Sequence, residues 1–309
     1  MRANSPALLS VATYLILLGW VQEGGCWGSL GHRTVAYLAE KHFSEAGASL
    51  AAKFLEDQEI SDAAVWADTI RRIPKYQNTG GWHYIDAEDD PPRTCAVNFK
   101  RDCDLKVGCV VSAIVNMTAR INDDDLSFSE QKDAFRFILH FIGDIHQPLH
   151  TENESRGGND IQVRFGARQT NLHSTWDTAI PVKSRGGQAK DEQAQAAAWA
   201  RELFEAQDSA TITEEAGSCV NLTTAQDCAL AWAGEANSWI CKYVLKDDVE
   251  GVQGKDLGGE YYEGAVPIVT DMVAKAGFRL GAWVNGLAEA RGEGKRRRVR
   301  DLGEGIVEL

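Results

Sequence analysis

Apolar residues recur at helical spacing along most of the chain, with polar positions between them. Stretches of this kind fill residues 32–43, 60–73, 107–121, 129–146, 191–206, 225–245 and 264–290. Apolar residues three to four apart lie on one face of a helix, so each stretch predicts an amphipathic helix. The clearest short strand is "IQVRF", which is followed by Gly166 and predicts a small hairpin near residues 161–170. We therefore predict an all-α fold, mainly helical, with one short β-hairpin.

The first 26 residues follow the pattern of a secretory signal peptide. Arg2 gives a positive start, the apolar run "ALLSVATYLILLGWV" follows, and small residues precede Trp27. An N-terminal anchor is the alternative, but the run is short and poorly flanked for a membrane span. We expect cleavage after Cys26, so that residues 1–26 are removed and no stable membrane span remains.

The rest of the chain reads as one domain followed by a tail. Residues 27–290 contain no internal repeat and no long low-complexity linker. From Arg291 onward the apolar period is lost and a basic cluster, "KRRRVR", appears. We predict a single domain over residues 27–290 and a disordered tail over residues 291–309.

Composition and charge narrow the class of function. Of the 309 residues, 44% are hydrophobic and 25% are charged, as in an ordinary globular protein. The formal net charge of -13 argues against a protein that binds polyanions through a broad basic surface. Phosphate chemistry would therefore need positive charge from another source, such as metal ions.

The cysteines and glycosylation motifs indicate an oxidising compartment. Loss of Cys26 with the leader would reduce the seven cysteines to an even number, which allows complete disulfide pairing. N-x-S/T motifs occur at Asn116, Asn153 and Asn221. We expect a secreted protein, or one of the secretory-pathway or vacuolar lumen.

Candidate metal ligands cluster in "HFIGDIHQPLH". His140 and Asp144 lie four apart and share one helix face, and His150 follows the bend at Pro148. Imidazole and carboxylate groups on adjacent turns are suitable zinc ligands. A single pair of this kind would more often be a His–Asp hydrogen bond in a protein core.

The same combination of residues recurs elsewhere in the chain. The recurring stretches contain His173 and Asp177, Asp68 and Arg71, His83 and Asp86, and Trp27 and His32. Each stretch alone is a weak signal. Together they indicate several metal ions that share one cleft.

These stretches give the chain a resemblance to a known family. "WGSLGHRTVAYLAE", "WADTIR", "WHYIDAEDDPP", "RFILHFIGDIHQPLH", "GGNDIQV" and "NLHSTWDTAI" resemble the secreted zinc-dependent single-strand nucleases and 3′-nucleotidases of the S1/P1 type, which include mung bean nuclease. The resemblance runs from Trp27 to about Leu287. It implies a mainly helical, phospholipase C/P1 nuclease-like domain with three zinc ions.

The resemblance also implies which residues bind each ion. The ligands of the first zinc would be Asp68, His83, His140 and Asp144. Those of the second would be His150, His173 and Asp177. Those of the third would be the amino and carbonyl groups of Trp27, with His32 and a bridging Asp144.

The activity implied by the resemblance is a metal-hydroxide in-line attack on a phosphodiester. The substrates would be single-stranded DNA, RNA and 3′-nucleotides, and the nucleic acids would yield 5′-phosphorylated products. We also expect a monomeric enzyme. Asp68 would orient the nucleophile and Arg71 would stabilise the transition state, although Arg71 could instead only pair with Asp68. Tyr84 would stack on a base and Asp86 would contact its edge, although both could be structural.

Expectations also follow for the six remaining cysteines, for the last two histidines and for alternative functions. The resemblance implies disulfides Cys95–Cys241 and Cys103–Cys109, which leaves Cys219 and Cys228 for a third bridge. His146 lies inside the histidine-rich motif but is not an expected ligand, and His42 is expected to be structural. Two alternative functions are a zinc phospholipase C-like phosphodiesterase and a non-catalytic secreted zinc-binding protein.

Overall fold

The computed structural model describes residues 27–206, 219 and 222–304 of the chain. The α-helices, numbered in chain order, are α1 (Ser29–Lys41), α2 (Glu45–Leu55), α3 (Ile60–Ala64), α4 (Trp66–Ile70), α5 (Phe99–Asp102), α6 (Val110–Ile121), α7 (Phe128–Asp144), α8 (Leu172–Ser174), α9 (Ile180–Ser184), α10 (Glu192–Ala206), α11 (Ala225–Trp239) and α12 (Glu260–Glu304). Short 3-10 segments cover Pro74–His83, Pro148–Thr151, Leu222–Thr224 and Val249–Gly251, and π-helical turns cover Thr175–Ala179 and Ile240–Val244. The predicted mainly helical fold is confirmed.

The predicted hairpin lies close to its expected position. Strand β1 (Gln162–Phe165) pairs antiparallel with β2 (Arg168–Asn171), and Gln162 lies opposite Asn171. Gly166 in the connecting turn has a φ of 62°, a backbone conformation that glycine adopts without a Cβ clash. The predicted leader and Asn221 lie outside the described residues.

Helix α2 was not predicted from the apolar pattern. Its sequence, "EAGASLAAKFL", is rich in small residues, which weakens the apolar period. The backbone N–H of Gly47 donates to Ser44 Oγ at 3.1 Å and caps the first turn. Leu50 and Phe54, four apart, are buried and attach this helix to the core.

The C-terminal boundary also needs a correction. Helix α12 continues through residues 291–304, for which the sequence predicted disorder. Arginine, lysine and glutamate favour helix, and each residue added to an existing helix gains a hydrogen bond. Arg291 itself is held by the folded body, because its Nη1 donates to the Ile121 carbonyl at 2.6 Å. Residues 305–309 lie outside the described part of the chain.

The buried apolar side chains form one connected core, with α7 in contact with α1, α6 and α12. Helix α1 also packs closely against α12. A Cβ at Gly277 of α12 would lie 2.7 Å from Leu38 Cγ, and a Cβ at Gly281 would lie 2.9 Å from the Ala39 carbonyl oxygen. Glycine at these two positions therefore permits the close approach of the first and last helices.

Disulfides join surface segments to this helical body. The structure pairs Cys95 with Cys241, Cys103 with Cys109, and Cys219 with Cys228, as the sequence led us to expect. Asn116 and Asn153, two of the expected glycosylation sites, are exposed. Within the described residues, no helix has the length and apolar character needed to cross a bilayer.

Candidate metal centre

Helix α7 ends at the residue that joins the candidate metal ligands. Its first turn has a capping box, in which the Glu130 N–H donates to Ser127 Oγ and Glu130 Oε2 accepts from the Ser127 N–H. His140 and Asp144, one turn apart at the other end, are both fully buried. A carboxylate at a helix C-terminus adds to the negative end of the helix dipole, so this end favours a cation.

Three potential metal-ligand atoms, one of them Asp144 Oδ2, lie close together. His83 Nδ1 lies 3.0 Å from Asp144 Oδ2 and 3.1 Å from His140 Nε2, and these last two atoms are 3.2 Å apart. Asp68 Oδ1, on α4, lies 3.9 Å from both ring nitrogens. A tetrahedral ion with bonds of about 2.0–2.1 Å holds its donor atoms about 3.3 Å apart. These four side chains therefore fit around one ion.

The second oxygen of Asp144 faces a different histidine. Asp144 Oδ1 lies 3.2 Å from Nε2 of His32 on α1. The His32 ring stacks on His140 at a centroid distance of 3.9 Å. This stacking needs glycine at position 143, because a Cβ there would lie 2.8 Å from His32 Nδ1. Asp144 thus offers one oxygen to each of two neighbouring positions.

Another set of ligands lies nearby. His173 Nε2 is 3.2 Å from Asp177 Oδ2, and His150 Nε2 is 3.7 Å from Asp177 Oδ1. His150 Nδ1 donates to the His83 carbonyl at 2.8 Å, and His173 Nδ1 donates to the Gly157 carbonyl at 2.7 Å. Because each Nδ1 carries the proton, each Nε2 presents a lone pair.

The structure therefore brings together most of the predicted ligands as three candidate metal groups. Their members are His32, His140 and Asp144 in one, Asp68, His83 and His140 in the next, and His150, His173 and Asp177 in the third. We call the last set the His150 group. Trp27 is buried, and the backbone N–H of Gly28 donates to the Asp177 carbonyl at 2.7 Å. This bond brings the predicted mature N-terminus to the segment that carries Asp177.

Several buried polar atoms in these groups indicate that a cation fits. His32 Nε2, Asp144 Oδ1, His150 Nε2 and Asp177 Oδ2 have no hydrogen-bond partner among the described residues. A buried polar atom without a partner costs about 1–3 kcal/mol. Imidazole nitrogens and carboxylate oxygens that converge in pairs recover this energy when a cation lies between them.

The electrostatics of the cluster also favour bound cations. Burial favours the neutral acid, but His140 and His32 hold the pKa of Asp144 well below its usual value. Burial likewise favours the neutral acid at Asp177, but His173 and His150 lower its pKa. The carboxylates of Asp144 and Asp177 are therefore ionised at neutral pH, although both are buried.

Arg71 and Tyr84, predicted to act in catalysis and substrate binding, lie next to members of this cluster. Arg71 Nη2 is 3.8 Å from Asp68 Oδ1, and both side chains reach solvent. Tyr84, next to His83, is 41% exposed. Asp86 is half-buried, and burial, together with Asp102 and Glu88, raises the pKa of its carboxyl group.

Sequence comparisons assign this arrangement to a family. A family model described as S1/P1 nuclease matches residues 27–289. The chain belongs to the S1/P1 nuclease family. It is 37% identical to nuclease S1 of Aspergillus oryzae over 289 residues. These residues cover 92% of this chain and 98% of that protein.

Further relatives in this family include fungal and plant proteins. Nuclease P1 of Penicillium citrinum is 38% identical over 265 residues, which cover 84% of this chain and 97% of that protein. Endonuclease 4 of Arabidopsis thaliana is 31% identical over 287 residues, which cover 89% of this chain and 93% of that protein. The resemblance predicted from the motifs is confirmed.

Sequence reasoning missed two buried residues beside this S1/P1-type cluster. Gln147 Nε2 donates to Asp177 Oδ1 at 2.6 Å. Arg279 Nη1, on α12, donates to His146 Nε2 at 2.8 Å. Both ring nitrogens of His146 have partners, since Nδ1 donates to the Ile142 carbonyl at 2.7 Å and Nε2 accepts from Arg279. A signal for Arg279 was present, because it lies between Ala276 and Trp283 on the apolar face of α12.

Proposed function

We propose that the three groups bind zinc ions and that the chain is a zinc-dependent endonuclease of single-stranded DNA and RNA with 3′-nucleotidase activity. The observation that carries this proposal is the buried cluster of histidines and aspartates joined through Asp144. Imidazole and carboxylate donors in tetrahedral arrangement suit zinc. The names of the fungal and plant relatives, nuclease and endonuclease, support the reaction class.

Bound zinc supplies Lewis-acid charge at a phosphoryl oxygen and lowers the pKa of a coordinated water to about 7. Asp68 lies at the solvent-facing edge of the cluster, with its side chain 27% exposed, and can accept a hydrogen bond from the attacking water. Arg71 lies beside it and presents its guanidinium group to charge that develops on the phosphate. The histidines of the three groups are buried behind this edge.

Tyr84 provides a stacking surface at the same edge. An unpaired base that stacks on an aromatic ring gains about 1–3 kcal/mol without sequence preference. Asp86, two residues along the chain, would contact a base edge. A base inside a duplex would first have to leave its stack, so this arrangement favours single strands.

Secretion belongs to the same proposal. Cleavage after Cys26 would create a free amino group at Trp27, which would join His32 and Asp144 as a ligand. We further propose a monomeric protein with glycans at Asn116 and Asn153, whose side chains are exposed, and at Asn221.

The decisive test measures metal content and substrate range on the secreted protein. We expect three zinc ions per chain, a mature N-terminus at Trp27, and hydrolysis of single-stranded DNA, RNA and 3′-AMP. Preferential hydrolysis of phosphatidylcholine would instead indicate a phospholipase C-like enzyme. Fewer than two zinc ions and no hydrolysis of any of these substrates would reject the proposal.

Arg71 gives a sharper test of the mechanism. Arg71→Ala should retain its zinc and lose at least about tenfold in kcat on single-stranded DNA, because one cation at the phosphate is removed. Arg72→Ala, which removes the neighbouring exposed arginine, serves as the matched control. An unchanged kcat in the Arg71 variant would remove this side chain from the mechanism.

A further inference from the structure

Gln147 lies at the junction of three segments that carry metal-group residues. Its side chain is fully buried. Its backbone N–H donates to the Asp144 carbonyl at 2.9 Å, and its carbonyl accepts from the His150 N–H at 2.9 Å. The backbone of Gln147 alone therefore connects the end of α7 with the Pro148–Thr151 turn.

The side chain of Gln147 makes two further short bonds. Gln147 Oε1 accepts from the backbone N–H of Leu149 at 2.6 Å and caps the turn that carries His150. Gln147 Nε2 donates to Asp177 Oδ1 at 2.6 Å. The amide orientation has no alternative, because a backbone N–H requires the oxygen and a carboxylate requires the NH2 group.

The bond to Asp177 determines what that carboxylate can offer. With Oδ1 engaged by Gln147, the carboxylate plane is fixed and Oδ2 lies 3.2 Å from His173 Nε2. Asp177 Oδ2 is buried and has no hydrogen-bond partner within the described residues. Asp177 Oδ2 therefore faces His173, its neighbour in the His150 group, and needs no change of rotamer to bind an ion there.

We propose that Gln147 is a positioning residue that holds Asp177 and the His150-bearing turn ready for the metal of the His150 group. It contacts no substrate and provides no ligand atom itself. The inference rests on the proposed metal site, but not on the proposed substrate or reaction. Partners that orient metal ligands typically affect metal affinity by about 10–100-fold.

Two variants separate the contributions of the side chain. Gln147→Met conserves volume and removes both side-chain bonds. Gln147→Glu keeps an acceptor for the Leu149 N–H, but at neutral pH it has no donor for Asp177 and adds a like charge. Gln131→Met and Gln131→Glu are matched controls, because Gln131 is also buried on α7 and its Nε2 donates to a carbonyl, that of Asp123, away from the metal groups.

The experiment dialyses each zinc-loaded protein against a graded series of chelator concentrations and measures the zinc that remains, together with the melting temperature. We expect both Gln147 variants to lose one ion at a chelator concentration about 10–100-fold lower than wild type, while the other ions leave as in wild type. The Gln131 variants should release all ions as wild type does, even where their melting temperature falls.

The remaining outcomes would overturn the proposal. Wild-type release in the Gln147 variants would show that Asp177 needs no positioning partner. Simultaneous early release of all ions, or failure of both Gln147 variants to fold while the Gln131 variants fold, would show a purely structural role. None of these readouts uses nucleic acid, so a wild type that binds zinc but cleaves nothing would reject the proposed nuclease activity and leave this test intact.

Discussion

His140 and His146 lie within two turns of each other at the end of α7, and both are fully buried, yet their surroundings are opposite. Each donates Nδ1–H to a backbone carbonyl, His140 to Ala64 at 2.6 Å and His146 to Ile142 at 2.7 Å. The difference lies at Nε2, which faces Asp144 and Asp68 in one case and the guanidinium of Arg279 in the other.

This difference appears in the protonation of the two rings. Burial opposes the charged form of His140, but Asp144 and Asp68 raise its pKa to about 9. Burial and Arg279 together lower the pKa of His146 to about 3. The charge of the surrounding groups therefore determines the state of each buried ring. Arg279 is a cation of the chain itself that donates to neutral His146, whereas the carboxylates around His140 favour a cation, either a proton on the ring or a metal ion from solution.

The largest expected effect comes from removal of the shared carboxylate. Asp144→Asn should lower kcat on single-stranded DNA by about a thousandfold or more, because several kcal/mol of metal-derived stabilisation is lost. Zinc analysis should show a loss of bound metal. Glu130→Gln, at the opposite end of the same helix, is the control. An Asp144 variant with normal zinc content and activity would contradict the assignment of this residue to the metal centre.

Removal of the cation beside His146 should affect stability instead. Arg279→Met loses the bond to His146 and the ion pair with Glu235, whose Oε2 lies 2.7 Å from Nη2. We expect the free energy of unfolding to fall by about 2–3 kcal/mol, measured by urea denaturation. Zinc content under native conditions should not change. Loss of metal in this variant would mean that the two histidine environments are not independent.

A pH series on the metal-free protein should separate the two histidines. The pKa of His140 rises on folding, so its stabilisation is complete below about pH 6.5 and is lost as pH rises through about 9. The pKa of His146 falls on folding, so acidification from about pH 6.5 toward 3 destabilises the protein. His140→Gln should weaken the alkaline loss and keep the acidic one. A stability profile that is flat above pH 6.5 would contradict the raised pKa.

The smallest effect is expected at the outer end of the Arg279 network. Glu235→Gln removes one charge from a partly exposed carboxylate that also contacts Lys275 at 2.6 Å. The free energy of unfolding should fall by about 0.5–1 kcal/mol, as for other partly exposed ion pairs. Its urea midpoint should therefore lie between those of wild type and Arg279→Met. A larger loss than in Arg279→Met would place the main support of His146 at Glu235.

The sequence anticipated His140 and His146 to different extents. Spacing alone put His140 and Asp144 on one face, and the repeated His–Asp pairs indicated more than one metal ion. Spacing also left His146 without an assigned partner, because Arg279 is 133 positions away and reaches it only through the packing of α12. Gln147 was missed for a similar reason, since Asp177 comes from a turn 30 positions later.

The close contact between the first and last helices has a consequence for how the protein is made and degraded. All residues of the three metal groups are translated by residue 177, long before Gly277 and Gly281. Helix α1, which carries His32, packs against α12 through these glycines. A chain that stops early, or is clipped by a protease ahead of α12, would keep every one of these residues but lose a principal packing partner of the helix that carries His32. Quality control in the producing cell would therefore meet truncated products that have a complete set of metal-binding side chains on a weakened helical frame.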